Sequence, residues 1–354
     1  MSPTMTNERL LIEAVAEGRA DDVRRFLPIS DARAGHSAAL RCAVATQRTE
    51  IIQLLLPYSD AKADNSYVLR QAVERGRKDV VEMLLPYADP KALNSEALRY
   101  AAEHGDVDMV ELLLPLSDPL ADRCYALQAA AGKGHSRVVD MLLPFSDLKD
   151  RSRALGWAAF FGHNEIVEML LPISDPMADS SRALLYAAEK GHKEIVEMLL
   201  PVSDFKANGS RALMYASENG HKEIVEMLIP VSDPESIRYA LWDASKLGYL
   251  QMAEILIPVS DPKSHNSQAL GWAAFGGHQE IVELLIPVSD VDAACESLDE
   301  AELAMVRAVE AKLKMKELQA STVQIQQSFN QCVDQAKSES QGTATPQRGQ
   351  ARRL

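Results

Sequence analysis

Apolar positions along the chain keep a fixed phase with proline. A proline preceded by two apolar residues stands at Pro28, Pro57, Pro86, Pro115, Pro144, Pro172, Pro201, Pro230, Pro258 and Pro287, at intervals of 29 residues except for two of 28. Leu lies seventeen residues before each of them, from Leu11 to Leu270, and Asp three residues after, from Asp31 to Asp290. Gly stands ten residues before in every unit but one, where Gln47 takes its place. A period held at four positions marks a structural repeat, with about ten copies over residues 8–295.

Each period reads as two short helices. In the unit around Gly191, Ala183, Leu184, Ala187 and Ala188 share one face of a first helix expected over residues 181–190. Gly191 stops it, because a helix end often needs a left-handed residue. The second helix turns Ile195, Val196, Leu199 and Leu200 inward and Glu194 and Glu197 outward. Pro201 is expected to end it, and the Ser-Asp pair that follows to make a tight turn into the next unit. One unit cannot bury both stripes, so neighbours must stack.

The run Ala-Leu-x-x-Ala-Ala-x-x-Gly-His-x-Glu-Ile-Val-Glu-x-Leu-Leu, carried at 183–200 and nearly repeated from Ala212, resembles the ankyrin repeat. The resemblance extends over residues 8–290. It implies an all-α, ankyrin-like helical-repeat solenoid that binds another protein. Ankyrin units are commonly about 33 residues long, so units of 28 or 29 imply shortened inter-repeat loops in place of projecting hairpins.

Terminal units must offer one face to water. In the first unit Asp22 stands where the others carry Ile, Val or Met, as suits an N-terminal cap. After the last unit, Ser297-Leu-Asp-Glu300 reads as a capping box opening a long helix with the stripe Leu303, Val306, Val309, Leu313 and Leu318. Heptads are not sustained beyond Gln319, so packing against the last repeat is expected ahead of a coiled coil. The expected organisation is a flexible N-terminus (1–7), the repeats (8–295), a C-terminal capping helix (296–340) and a disordered basic tail (341–354). A monomer is expected, with residues 297–337 as the alternative oligomerisation handle.

Composition narrows the function. Hydrophobic residues at 47% can build a core, and aromatics at only 5% favour helices over strands. A net charge of -14 repels phosphate backbones and anionic headgroups, so neither nucleic acid nor a membrane surface is an expected partner. Met1 to Leu10 lacks a basic region followed by an apolar run, and Cys42, Cys124, Cys295 and Cys332 show no paired spacing. A cytoplasmic protein with free, space-filling thiols is expected.

No constellation for chemistry stands out. Five Gly-His pairs, at His135, His163, His192, His221 and His278, invite a metal reading. Equivalent residues of stacked units sit about 10 Å apart, however, whereas two imidazoles on one zinc ion lie within about 4 Å. Glu82, Glu168 and Glu283 belong to a recurring ladder of acids, which reads as a solvated face. Phosphate-binding loops, nucleophile elbows and dinucleotide fingerprints are missing from the sequence. Neither an enzyme nor a cofactor is expected.

Partner contacts are expected where units differ. In ankyrin repeats the two residues between the Ala pair and the Gly-His pair are exposed on the concave side, and here most are polar or small. Phe160, Phe161, Leu247 and Phe275 depart from that habit, as binding anchors do. Tyr100, Trp157, Tyr186, Tyr215 and Trp272 form a second aromatic series three positions earlier, where packing between first helices is expected ahead of lining the groove, and Glu74, Glu103, Glu189 and Glu218 add acid. Phe160, Phe161, Leu247 and Phe275 with Trp157, Trp272, Tyr186, Tyr215, Glu189 and Glu218 are the ten residues of the candidate site, fitted to a basic or amphipathic segment of another protein. Near-identical units also resemble the arrays that bacteria deliver into host cells, which implies a host-directed effector as one form of that role.

Overall fold

A computed structural model describes residues 6–204 and 211–341. The first five residues and the tail beyond Gln341 lie outside the described residues. Among the described residues every regular element is a helix. The first begins at Asn7, capped by Thr6, just inside the segment expected to be flexible.

The unit around Gly191 shows how the repeat is made. Its first helix is Ala178–Lys190, Gly191 closes it at φ 80°, and the second helix is Lys193–Leu199. Pro201 does not halt the second helix from outside. It takes the middle position of a 3-10 turn, Leu200–Val202, where its missing N–H leaves no helical hydrogen bond unmade. Leu184, Ala187, Ala188, Ile195, Val196 and Leu199 are buried, as is their counterpart set in each neighbour.

The two unit lengths correspond to two ways of starting the first helix. In the described 29-residue connections, three consecutive residues take the left-handed conformation before the helix proper, as at Asp64, Asn65 and Ser66 (φ 54°, 55° and 56°). The same turn recurs at 93–95, 122–124, 179–181 and 265–267. The two 28-residue connections lack it. There the Asp three residues after proline caps the helix directly: Asp147 Oδ1 accepts from the Asp150 N–H at 2.8 Å, and Asp233 Oδ1 from the Ser236 N–H at 2.9 Å. One residue fewer replaces a left-handed turn with an N-cap.

Two hydrogen-bond ladders tie consecutive repeats. In the first, a buried serine at the start of one first helix accepts the backbone N–H of the Asp 23 residues on. Ser37 takes Asp60, Ser66 takes Asp89 and Ser95 takes Asp118, at 2.7 to 2.8 Å. In the second, the histidine after glycine donates Nε2–H to a carbonyl at the end of the preceding first helix: His135 to Glu103, His163 to Gly132, His192 to Phe160 and His221 to Glu189, at 3.0 to 3.1 Å. These histidines are inter-repeat braces.

The chain forms two compact units, Met1–Ser232 and Asp233–Leu354. Within the first, first helices pack on first helices and second helices on second helices. At its N-terminal end Asp22 is half-buried and held by Arg19. The second contains the helices Pro234–Leu247, Leu250–Leu256, Ser264–Phe275 and Gln279–Leu285, then a short helix, Val291–Cys295, and a long one, Glu300–Gln341.

The capping box of that long helix sits two residues later than Ser297 and Glu300. Asp299 Oδ1 accepts from the N–H groups of Ala301 and Glu302 at 2.9 Å, and the Glu302 carboxylate returns a bond to the Asp299 N–H at 3.0 Å. Ser297 instead donates to the Ala294 carbonyl. Val306 and Val309 are buried where the helix meets Ser264–Phe275 and Gln279–Leu285, and Leu303 and Leu313 are half-buried. Leu318 does not join the docked stripe. The hydrogen bond from Lys312 holds the Glu283 carboxyl below its usual range and marks the last fastening of the helix, together with Lys316.

The histidine ladder predicts unequal costs for one substitution. A Cβ on Gly162, at φ 80°, would lie 2.6 Å from His192 Cε1, whereas one on Gly76, at φ 65°, meets nothing within 4 Å. Gly76→Ala should lose only the left-handed penalty of about 1–2 kcal/mol. Gly162→Ala should lose a further ~1 kcal/mol as His192 leaves the Phe160 carbonyl. Urea denaturation of both variants measures the difference, and equal losses would remove the brace from the account.

Candidate protein-binding surface

The helix Leu148–Phe161, capped by Asp147, carries Trp157, Phe160 and Phe161 in its last turns. An aromatic at Trp157 and another four residues on fall on one helical face and meet across one turn. Trp157 and Phe161 stack with centroids 6.0 Å apart and planes 18° from parallel. Phe160 meets Phe161 edge-on at 4.9 Å and Tyr186 of the next first helix edge-on at 5.1 Å. Trp157 also faces Tyr186 at 6.5 Å, so four of the ten candidate residues form one cluster. Trp157 is 40% exposed and Phe161 49%, while Phe160 and Tyr186 are half-buried behind them.

Charge sits close to the rings. Lys190 Nζ lies 4.6 Å from the centroid of Phe160 and pairs with Glu189 at 2.8 Å. Glu189 is therefore already neutralised in part, and it contributes less acid than its position suggests. Two grooves flank Trp157. One of about 210 Å³ is lined by Glu103, Tyr125, Gln128, Gly132, Lys133 and Phe161. The other, about 200 Å³, is lined by Arg153, Gly156, Asp175, Asp179, Arg182 and Tyr186. Tyr215 and Glu218 are exposed on the helix Arg211–Glu218; among the described residues Tyr215 makes no ring contact with the cluster.

The remaining candidates belong to the second compact unit. Trp272 meets Phe275 edge-on at 5.9 Å, with Lys246 Nζ 5.1 Å from the Trp272 centroid. Phe275 is 64% exposed, and Leu247 ends the helix Pro234–Leu247 exposed. A groove of about 550 Å³ beside Trp272 is lined by His265, Gln268, Gly271, Phe275, Glu296, Leu298 and Glu302. Among the described residues no three His, Cys, Asp or Glu side chains are placed to hold a metal ion, and no helix is long and apolar enough to cross a membrane.

Stacked helix pairs braced at Gly-His, with departures confined to the ends of the first helices, agree with the comparison to known families. The family described as ankyrin repeats (three copies) matches residues 11–95, 98–180 and 155–238, more than half of the chain. The chain belongs to the ankyrin-repeat family. Ankyrin repeats are generally protein–protein interaction modules. None of the curated proteins compared with the chain matches it.

In this ankyrin array several surface features escaped the sequence reading. Residues 154–160 and 269–275 are the same heptapeptide, Ala-Leu-Gly-Trp-Ala-Ala-Phe, once in each compact unit. Its glycine replaces the Arg, Gln, Leu, Met or Trp of the units between Arg99 and Trp242, and so opens a groove beside each tryptophan. Gly132 has a matching part. A Cβ there would lie 3.4 Å from the Phe161 ring, so the missing side chain lets that ring lie against the preceding helix. Every residue after a repeat proline from Ile29 to Val259 is apolar and exposed. Three successive connections add a second exposed apolar residue, giving Leu116 with Leu120, Phe145 with Leu148, and Ile173 with Met177. The phase with proline was readable; the exposure was not.

Cys124 is more than space-filling. It takes the place of a ladder serine, and its thiol donates to the buried Asp150 Oδ2 at 3.0 Å, fixing the start of the helix that carries the aromatic cluster. Burial, followed by the Asp150 carboxylate, pushes the thiol up to about 12. A pKa raised by folding stabilises the native state below the unfolded thiol value, and that contribution is lost as pH rises toward 12. At pH 8 a maleimide should therefore label the exposed Cys332 while Cys124 reacts only after denaturation. Equal labelling of both in the folded chain would contradict the Cys124–Asp150 bond.

Proposed function

We propose that this ankyrin-repeat protein is a non-catalytic interaction scaffold of the cytosol, holding a partner protein on the first-helix face around Trp157, Phe160, Phe161 and Tyr186. The observation that carries the reading is an exposed ring cluster at positions that are polar or small in most other units. Aromatic side chains in such clusters offer large contact area at low entropic cost, which is why they anchor interfaces. The face corresponds to the concave side in the family. A host-directed role, by analogy with delivered bacterial arrays, would use the same surface.

The grooves set the chemistry of the partner. Each flanks Trp157 with apolar walls and mixed charge: Glu103 with Lys133 at 3.8 Å in one, and Asp175, Arg153 and the Asp179–Arg182 pair at 3.3 Å in the other. An amphipathic segment that inserts one large side chain beside Trp157 fits both conditions. The second copy of the heptapeptide, around Trp272 and Phe275 with Glu296 and Glu302 in its groove, supports recognition of the same kind of segment there.

A second reading rests on the connection edge, where Leu116, Leu120, Phe145, Leu148, Ile173 and Met177 are exposed over three consecutive units. An apolar patch of that kind is also a feature of interaction surfaces. Paired affinity capture distinguishes the two. Phe145→Asp should leave stability within about 0.5 kcal/mol. Phe161→Asp also gives up its ring contacts with Trp157 and Phe160 and should cost about 1–2 kcal/mol, so circular dichroism checks that both variants stay folded. A partner lost by Phe161→Asp and kept by Phe145→Asp supports the ring cluster. The reverse moves the site to the connections, and retention by both removes both surfaces.

A further inference from the structure

We infer that the distal half of the helix Glu300–Gln341 pairs with the same helix of a second copy of this chain through a seam running from Met315 to Cys332. The apolar stripe that docks this helix passes through Val306, Val309 and Leu313, and continues on the same face into Lys316 and Ala320. Apolar residues then restart on a different face. Met315, Leu318, Ile325, Phe329 and Cys332 fall at spacings of three and four, the a and d positions of a short run that the polar Thr322 interrupts and that is not sustained as a longer heptad repeat. At 3.6 residues per turn this seam lies roughly 160° round the helix from the docked stripe. The contacts that cover Val306 therefore cannot cover the seam. Leu318 is 68% exposed, Ile325 70% and Phe329 62%.

Local preference supports a helix here only in part, because Leu318, Ala320 and five glutamines alternate with weaker formers. Ser321, Thr322, Val323, Ile325, Ser328, Phe329 and Asn330 are all middling to poor helix formers, so an unpacked helix through them is marginal. Packing on a partner helix supplies what propensity lacks.

Charge selects the occupant. In coiled coils the e and g positions beside the seam set partner choice by their charges. Here those positions are Lys314, which is paired with Glu310, then Gln319, Ser321, Gln326, Ser328, Val333 and Gln335, and residues 318–333 contain no charged side chain. A different partner finds no charge code to read, and an identical copy meets no like-charge repulsion, although the chain as a whole carries -14. A seam of one's own sequence is self-complementary, as a two-fold interface requires.

The test is sedimentation of the intact chain from about 1 to about 100 µM, the range over which a micromolar helix pair passes from monomer to dimer. The expected mass rises toward twice the 38.9 kDa of one chain. The variant Leu318→Glu, Ile325→Glu, Phe329→Glu should stay monomeric while the repeats keep their thermal transition. Gln324→Glu with Gln327→Glu, off the seam, should still dimerise. Cys332 provides a second readout, since its maleimide labelling should slow about tenfold as wild-type concentration rises and stay constant in the seam variant. A chain that is monomeric at the highest concentration, or a seam variant that still dimerises, would overturn the inference.

Discussion

Everything in this array depends on the fact that a seven-residue helix cannot bury its own apolar stripe. Ile195, Val196 and Leu199 reach near-zero exposure only because equivalent helices flank them. Helices this short also gain little from backbone bonding alone. Where they run, the serine and histidine ladders answer that weakness by tying the start of a first helix to the next connection, or its end to the next glycine corner. Each brace satisfies a backbone group that the stacking would otherwise leave buried and unpaired.

The same constraint explains where variation is tolerated. Residues at the stacking positions are held to Ala, Ser, Leu, Ile, Val and Met, while the last turn of each first helix varies more. One departure, the ring cluster of Trp157, Phe160 and Phe161, sits on a helix begun by the direct Asp147 cap, and the other 28-residue unit begins the helix that ends at Leu247 in the same way. Losing one residue from the connection thus removes the left-handed turn and gives the helix a side-chain cap.

The long terminal helix presents two apolar faces. Its reciprocal Asp299–Glu302 cap, its buried Val306 and Val309 and the lysines on Glu283 close the apolar end of its own unit. Beyond Lys316 those contacts stop, and the second apolar face begins on a stretch without charge.

Much of the fold was legible because the repeat multiplies every signal tenfold: helix pairs, glycine corners and buried Leu, Ala and Ile positions all follow from residues recurring in phase with proline. The aromatic candidates were legible as departures from that phase. What the sequence could not decide was how neighbours meet. Whether Phe161 packs flat over Gly132, whether Gly156 opens a groove, whether Cys124 bonds Asp150, and whether Asp299 or Ser297 caps the last helix all depend on atoms brought together from different units or on the turn geometry between them. Periodicity records which side chains face inward along one helix. Which partner each of them meets is set by stacking, a property of the tertiary structure alone.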